Sequence, residues 1–320
     1  MKENYVIGID IGGTNFRIAA VRLEHAALTK GELGAYRVYR SHFRKVPVGT
    51  VLRTARVLED LAQYLEQYCE MLGREGKRAA AVVIGFPATL DRSRKMVLQA
   101  PNIPFMEQLP VVDVLERALG IPVLLEKDVS LSLLYDKVKY GIGDCPMLCG
   151  IYFGTGIGNA IFINGKVWKG KNGTAGELGH IPVDTDRSKC GCGNEGCLEN
   201  LAGGKYLVRL CREAYPQTEP GALFSGYRDE PELRRFVDRM AVAVATEINL
   251  LDPDVVIVGG GVPNMKDFPQ EYLRERIIFH TRKPYPAAGL RLIFAEDEKD
   301  KAVIGAALFA GDCMQDALAH

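Results

Sequence analysis

Between His180 and Glu199 the chain places one imidazole and three thiols, those of Cys190, Cys192 and Cys197, within eighteen residues. Soft donors of that number suit a closed, four-coordinate zinc site. Gly191, Gly193 and Gly196 give the backbone the freedom to fold tightly around one ion. Two carboxylates flank the cluster, Glu177 before the histidine and Glu199 after the last cysteine. At i and i+3, Glu177 and His180 share one side of a turn, unless they belong to a plain surface turn. A metal here would fix the positions of two acids. Disulfides, or thiols packed as small hydrophobes, are the competing uses of such cysteines. Three this close cannot all pair with one another, and a chain without a secretory signal that clusters its cysteines is expected to bind metal or do chemistry with them. Cys69, Cys145, Cys149, Cys211 and Cys313 are scattered and are expected mostly in the core.

A second kind of chemistry is written in glycines. Asp10-Ile11-Gly12-Gly13-Thr14-Asn15 follows a short apolar run. Its exposed N–H groups and the Thr14 hydroxyl can donate to phosphate oxygens, and Asp10 can face a magnesium ion on those phosphates through water. Gly154-Thr155-Gly156 repeats the pattern. Neither is a Walker loop or a dinucleotide fingerprint, because each opens a hairpin instead of a helix. Gly259-Gly260-Gly261 closes another apolar run and leaves room for the flat face of a base, or forms an ordinary strand-to-helix turn. Asp128 lies just past a strand end, where a carboxylate can take a proton from an alcohol. The same position suits a helix N-cap. Asn102 is a polar side chain in a proline-framed loop, or an ordinary turn residue.

These residues need a scaffold of strands and helices. Apolar runs predict strands over Tyr5–Ile11, Phe16–Leu23, Ala79–Ile84, Ile121–Leu125, Met147–Phe153, Asn159–Ile163, Val255–Val258 and Leu290–Phe294. Helices are expected around Leu58–Leu72 with Gly73 as its cap, and over Val111–Leu119, Val129–Tyr140, Glu232–Leu251 and Lys301–Ala310. The basic stretch before Gly49 carries no clear element, and Asn164-Gly165 predicts a hairpin turn. Val6–Asn15 and Gly150–Asn159 share one strand–turn–strand pattern half a chain apart, which predicts two related α/β domains facing a cleft. The expected division is a small first domain over 1–115 and a larger one over 116–300, with the last helix, 301–320, packing back on the first.

Together these motifs resemble the ROK family of bacterial sugar kinases, within the two-domain actin-like ATPase (ribonuclease H-like) fold. The resemblance rests on Asp10–Asn15, Asn102, Asp128, Gly154-Thr155-Gly156, Gly176-Glu177-Leu178-Gly179-His180, the Cys190–Glu199 segment and Gly259-Gly260-Gly261. It implies Asp128 as general base and Asn102, Glu177, His180 and Glu199 as hydrogen-bonding partners of a sugar. It implies ATP phosphates on Gly12, Gly13, Thr14, Gly154 and Thr155, adenosine near Gly260, and structural zinc on His180, Cys190, Cys192 and Cys197. ATP, magnesium and zinc are therefore the expected ligands, with transfer to the 6-hydroxyl of a hexose. Two positions depart from the family's glucokinases: Lys127 stands where they carry Asn, and Phe105 follows Pro104 where they often carry Trp. The segments Gly85–Ala88, Ala100–Pro104, Trp168–Gly170, Gly259–Val262 with Phe268-Pro269, and Arg282–Pro284 are most similar to those of the family's D-allose-phosphorylating branch. Glucose, N-acetylmannosamine and fructose are the alternatives.

Composition bounds the partners. Forty basic and forty acidic residues cancel among 320, which argues against nucleic acid or an anionic membrane as main partner. No apolar run approaches a membrane span, so a cytoplasmic protein is expected, compatible with a homodimer. A sugar-sensing repressor is the alternative of another class. Four residues before the first strand leave it no DNA-reading helix, and such a sensor would be expected to lose Asp128. A zinc-ribbon interaction module would leave the phosphate turns unexplained.

Overall fold

A computed structural model describes residues 3–25, 36–101, 103, 105–183 and 187–318, the last five by their backbone alone. Asn102 lies outside the described residues.

In chain order the first elements are β1 (Glu3–Ile11), β2 (Asn15–His25), β3 (Tyr36–Pro47), α1 (Val48–Val51), α2 (Val57–Arg74), β4 (Lys77–Phe86), β5 (Thr89–Leu90), β6 (Val97–Gln99), α3 (Val111–Leu119), β7 (Val123–Lys127) and α4 (Asp128–Lys139). There follow β8 (Met147–Phe153), β9 (Ile157–Ile163), β10 (Lys166–Val167), α5 (Glu199–Ala202), α6 (Gly204–Ala214), α7 (Leu223–Tyr227), α8 (Pro231–Leu251), β11 (Val255–Gly259), α9 (Gln270–His280), β12 (Arg291–Phe294) and α10 (Lys301–Leu318).

The chain divides into two compact units. The first holds residues 1–143, 169–175 and 298–320, and the second holds 144–168 and 176–297. The first unit thus runs past the boundary near 115 that the sequence suggested. The reason is pairing: β7 lies beyond that point yet is a parallel partner of β4 in the first sheet.

The first sheet has the order β3-β2-β1-β4-β7, antiparallel through β1 and parallel from there on. Alternation along β1 divides its faces. Ile7, Ile9 and Ile11 pack with Leu61, Leu65, Tyr68 and Leu72, which sit three or four apart on α2. On the other face Val83 and Leu131 meet Ala302, Ala306 and Ala310 of α10. That helix lies very close: a Cβ on Gly8 would stand 2.2 Å from the Val303 carbonyl oxygen, and one on Gly305 would stand 2.0 Å from that of Leu131.

The second sheet repeats the plan, β10-β9-β8-β11-β12, again antiparallel and then parallel. Ile151, Phe153 and Val256 pack with Phe236, Met240 and Val244 of α8 and Leu273 of α9. The strand–turn–strand pattern written twice in the sequence is β1–β2 and β8–β9, the start of each sheet.

Two expectations are corrected. The basic stretch before Gly49 is β3, an edge strand whose pairing with β2 overrides its polarity. Gly73 does not cap α2; the helix continues through Arg74, and Gly76 takes the left-handed conformation at φ 75°. The last helix, expected over 301–320, runs from Lys301 to Leu318, the last described residue. Asn164 and Gly165 both have positive φ, 50° and 76°, as a tight hairpin requires. Of the scattered cysteines, Cys149 and Cys211 are buried, while Cys69, Cys145 and Cys313 keep some exposure.

Candidate functional site

In the first unit, the register places Asp10 opposite Gly85 of β4, and Gly85 opposite Glu126 of β7. The C-terminal ends of three parallel strands therefore share one edge, where α/β sheets bind ligands. Just beyond it the β1–β2 turn closes with Gly12 N–H donating to the Asn15 carbonyl at 2.8 Å. Gly13 and Thr14 are exposed, so their N–H groups and the hydroxyl can meet an anion. Asp10 is ion-paired with Arg17 at 2.6 Å. Burial raises its carboxyl above the usual range against the pull of that arginine.

Asp128 is the first residue of α4 and follows β7 directly. Its Oδ1 accepts from the Val129 N–H at 2.8 Å, so it also stabilises the helix start. Burial pushes its carboxyl up to about 6, the Asp10 carboxylate adds to the rise, and the Val129 N–H and Lys127 pull the other way. A carboxylate tuned to near neutrality is what a general base needs.

In the second unit the Gly154–Gly156 turn joins β8 to β9, with Gly154 N–H donating to the Gly156 carbonyl at 3.0 Å. The start of α6 sits on this turn: Gly204 and Lys205 N–H donate to the Gly154 and Thr155 carbonyls at 2.8 and 3.0 Å. A Cβ on Gly204 would stand 2.6 Å from the Gly154 carbonyl oxygen, so this close approach requires glycine there. At the neighbouring strand end, Gly260 and Gly261 leave β11, and Val262 N–H donates to the Phe153 carbonyl at 2.9 Å. Asn264, which carried no sequence signal, ties this turn down by donating to the Gly260 and Ala295 carbonyls, both at 2.9 Å.

Four further side chains of this unit converge. One ligand atom from each of His180, Cys190, Cys192 and Cys197 lies within 4.8 Å of all the others. Cys190 Sγ is 3.6 Å from His180 Nδ1, and Cys192 Sγ is 3.6 Å from Cys197 Sγ. Thiolates at ~2.3 Å from a tetrahedral zinc stand about 3.8 Å apart, so the donor set fits that ion. None of these cysteines is in a disulfide. Gly193 and Gly196 adopt left-handed backbone at φ 97° and 75° to bring them together. Glu177 Oε2 is 3.7 Å from His180 Nε2. Cys190 Sγ is 3.4 Å from Glu199 Oε1, and Glu199 Oε2 is 3.4 Å from the Ile157 N–H.

The first unit thus gathers Asp10, Gly12, Gly13, Thr14, Asn15 and Asp128. The second gathers Gly154, Thr155, Gly156, Glu177, His180, Glu199 and the cysteines, with Gly259, Gly260 and Gly261 at the adjacent strand end. Phe105, one of the two departures from the glucokinase pattern, is 65 % exposed in left-handed backbone at φ 61°. Lys127, the other, is half-buried at the end of β7.

Two sheets of one order in one chain, each opening with a hairpin around a glycine-threonine turn, define the class: a mixed α/β actin-like ATPase fold. The chain belongs to the ROK family, whose profile matches residues 6–312. It is 26 % identical to the glucokinase of Thermotoga maritima over 96 % of this chain and 97 % of that protein. It is 28 % identical to a putative xylose repressor of a Caldicellulosiruptor species over 86 % and 70 % of the two chains. Its structure is similar to that of a ROK family glucokinase from Streptomyces griseus in complex with glucose and AMPPNP, with a TM-score of 0.73, 26 % identity, and coverage of 96 % and 99 %. No helix among the described residues is long and apolar enough to cross a membrane.

Proposed function

We propose that the protein is a cytoplasmic, ATP-dependent hexose kinase that phosphorylates the 6-hydroxyl, with D-allose as its preferred sugar. The observation that carries the reading is Asp128: a carboxylate at a strand end, held near pKa 6, on the same sheet edge as an exposed phosphate-type turn. At neutral pH it is mostly ionised and takes the proton of the sugar hydroxyl as that oxygen attacks the terminal phosphorus of ATP. ADP leaves. Such transfer depends on positioning and charge neutralisation more than on covalent chemistry.

Gly12, Gly13 and Thr14, and Gly154 and Thr155, are assigned to the phosphates: Gly13, Thr14 and Thr155 are the exposed residues of the two turns, which the Gly12–Asn15 and Gly154–Gly156 hydrogen bonds close. Gly259, Gly260 and Gly261 are assigned to adenosine. Asp10 is the carboxylate for the magnesium that accompanies ATP. Asn102, Glu177, His180 and Glu199 are assigned to sugar hydroxyls. Zinc on His180 Nδ1 and the three thiols would be structural, since four protein ligands leave no open position. The second ring nitrogen of His180 then faces Glu177 and remains available to a sugar.

Lys127 and Phe105, together with the segment similarities to the D-allose branch, support allose over glucose. One misplaced hydroxyl in a polar site leaves a buried partner unpaired, which is how such sites separate epimers. Similarity to the putative xylose repressor favours a second reading, sugar binding without turnover. A coupled ADP-release assay with ATP, magnesium and D-allose, D-glucose, D-mannose, D-fructose and N-acetyl-D-mannosamine separates these. Allose leading in kcat/KM supports the full reading. Another sugar leading removes allose, and binding with no turnover moves the assignment to a sensor.

A further inference from the structure

One buried ion pair of the first unit is not used by the reading above. Arg94 and Glu126 are 6 % and 0 % exposed, with Nη2 3.0 Å from Oε1 and Nε 3.2 Å from Oε2. This is the two-pronged geometry that only arginine provides. The third nitrogen, Nη1, donates to the Gly173 carbonyl at 2.8 Å.

Local sequence explains how an arginine comes to point inward. Arg94 lies in the turn between β5 and β6. Asp91 organises that turn by accepting from the N–H groups of Ser93 at 3.0 Å and of Lys95 and Met96 at 2.7 Å. Arg94 takes left-handed backbone there, φ 60°, a conformation that costs a non-glycine residue energy. Strain in the backbone and burial of a charge pair are both poor ways to gain stability. Their location suggests another purpose. Glu126 Oε1 also accepts from the Lys127 N–H at 2.9 Å, one residue before Asp128. Gly173 belongs to the segment 169–175 of the same unit, which leads along the chain to Glu177.

We propose that Arg94 is a positioning residue: by gripping both oxygens of Glu126 and the Gly173 carbonyl, it holds the junction of β7 and α4 so that the Asp128 carboxylate has one orientation toward the sugar hydroxyl. The proposal rests on the reading of Asp128 as the base.

Arg94→Met alone strands a buried carboxylate, so a lost fold would explain lost activity. The informative variant is Arg94→Met combined with Glu126→Gln, which leaves no unpaired charge. It is assayed as the full chain with the hexose that the wild type turns over fastest. The expected result is a thermal midpoint within a few degrees of wild type and KM for ATP within about twofold. Against that, kcat falls on the order of 100-fold, the scale of a misplaced reacting group. Arg94→Lys keeps the charge but not the fork, and is expected between the two. A folded double variant with wild-type kcat overturns the proposal. If the double variant does not fold, Arg94→Lys decides, and wild-type kcat in it is equally fatal. Asp128→Asn is run alongside. Full turnover in that variant removes the base and the proposal with it. An inactive Asp128→Asn beside a fully active double variant removes only the positioning role.

Discussion

Cys190 Sγ lies 3.4 Å from Glu199 Oε1, and the other oxygen of the same carboxylate is 3.4 Å from the Ile157 N–H, next to the Gly154–Gly156 turn. One acid therefore joins the cysteine cluster to the glycine turn of the second unit.

Gly156→Ala tests this link. A Cβ there would lie 2.3 Å from Glu199 Oε2, the far end of a flexible side chain. The carboxylate is expected to move while the backbone stays. The thermal midpoint should hardly change, while kcat/KM for the hexose falls about tenfold or more, as expected for a misplaced polar contact. Unchanged kinetics would separate Glu199 from the sugar.

The metal reading makes a direct demand on the purified protein. Metal analysis should find about one zinc per chain, and Cys192→Ser should lose it and lower the thermal midpoint. A wild-type preparation without zinc, made in zinc-replete medium, would refute the cluster assignment.

Asp128 predicts both activity and stability. Asp128→Asn should lower kcat on the order of 100- to 10,000-fold with sugar binding retained. In the wild type, kcat/KM should rise with pH through about 6 and level off above it, because the base works when ionised. The stability sign is opposite. A carboxyl raised from 3.8 to about 6 favours folding below the lower value and loses that contribution as pH climbs through the upper one. Asp128→Asn should therefore be more stable than wild type at pH 8, by roughly 1–2 kcal/mol, with the difference fading toward pH 4. Chemical denaturation at several pH values measures it.

Glu247 makes the same argument away from the proposed chemistry. It is 3 % exposed on α8, and its Oε1 accepts from Asn159 Nδ2 at 2.9 Å. Burial pushes its carboxyl up to about 7 against the pull of Asn159 and Cys149. Its share of stability is complete below about 4.5 and is lost as pH rises through about 7. Glu247→Gln should flatten the decline in stability between pH 6 and 8 without altering kcat. A variant as pH-sensitive as wild type would show that the decline originates elsewhere.

Gly305→Ala addresses the scaffold. Here the obstructing atom is the Leu131 carbonyl oxygen, 2.0 Å from where the Cβ would stand, and backbone cannot step aside cheaply. Destabilisation of about 2 kcal/mol or more is expected, seen as a lower denaturant midpoint. A neutral result would mean that α10 can lift off α4 at no cost.

Much of this protein was legible in the chain. Short apolar runs located β1, β2, β4, β8 and β11, and apolar residues three or four apart located α2, because segments of that composition must be buried. The glycine-threonine turns, the strand-end Asp128 and the cysteine cluster were recognisable because their chemistry is local: neighbours in sequence become neighbours in space. Tertiary structure decided what depends on distant pairing. The polar β3 became a strand because β2 offered it an edge, and β7 joined the first unit because β4 did. Gly8 and Gly305 earned their places only against Val303 and Leu131. The grip of Arg94 on Glu126 spans thirty-two positions and Gly173 lies seventy-nine away. No pattern of spacing encodes such a contact, since it exists only once hairpin, strand and returning segment have folded to the same place.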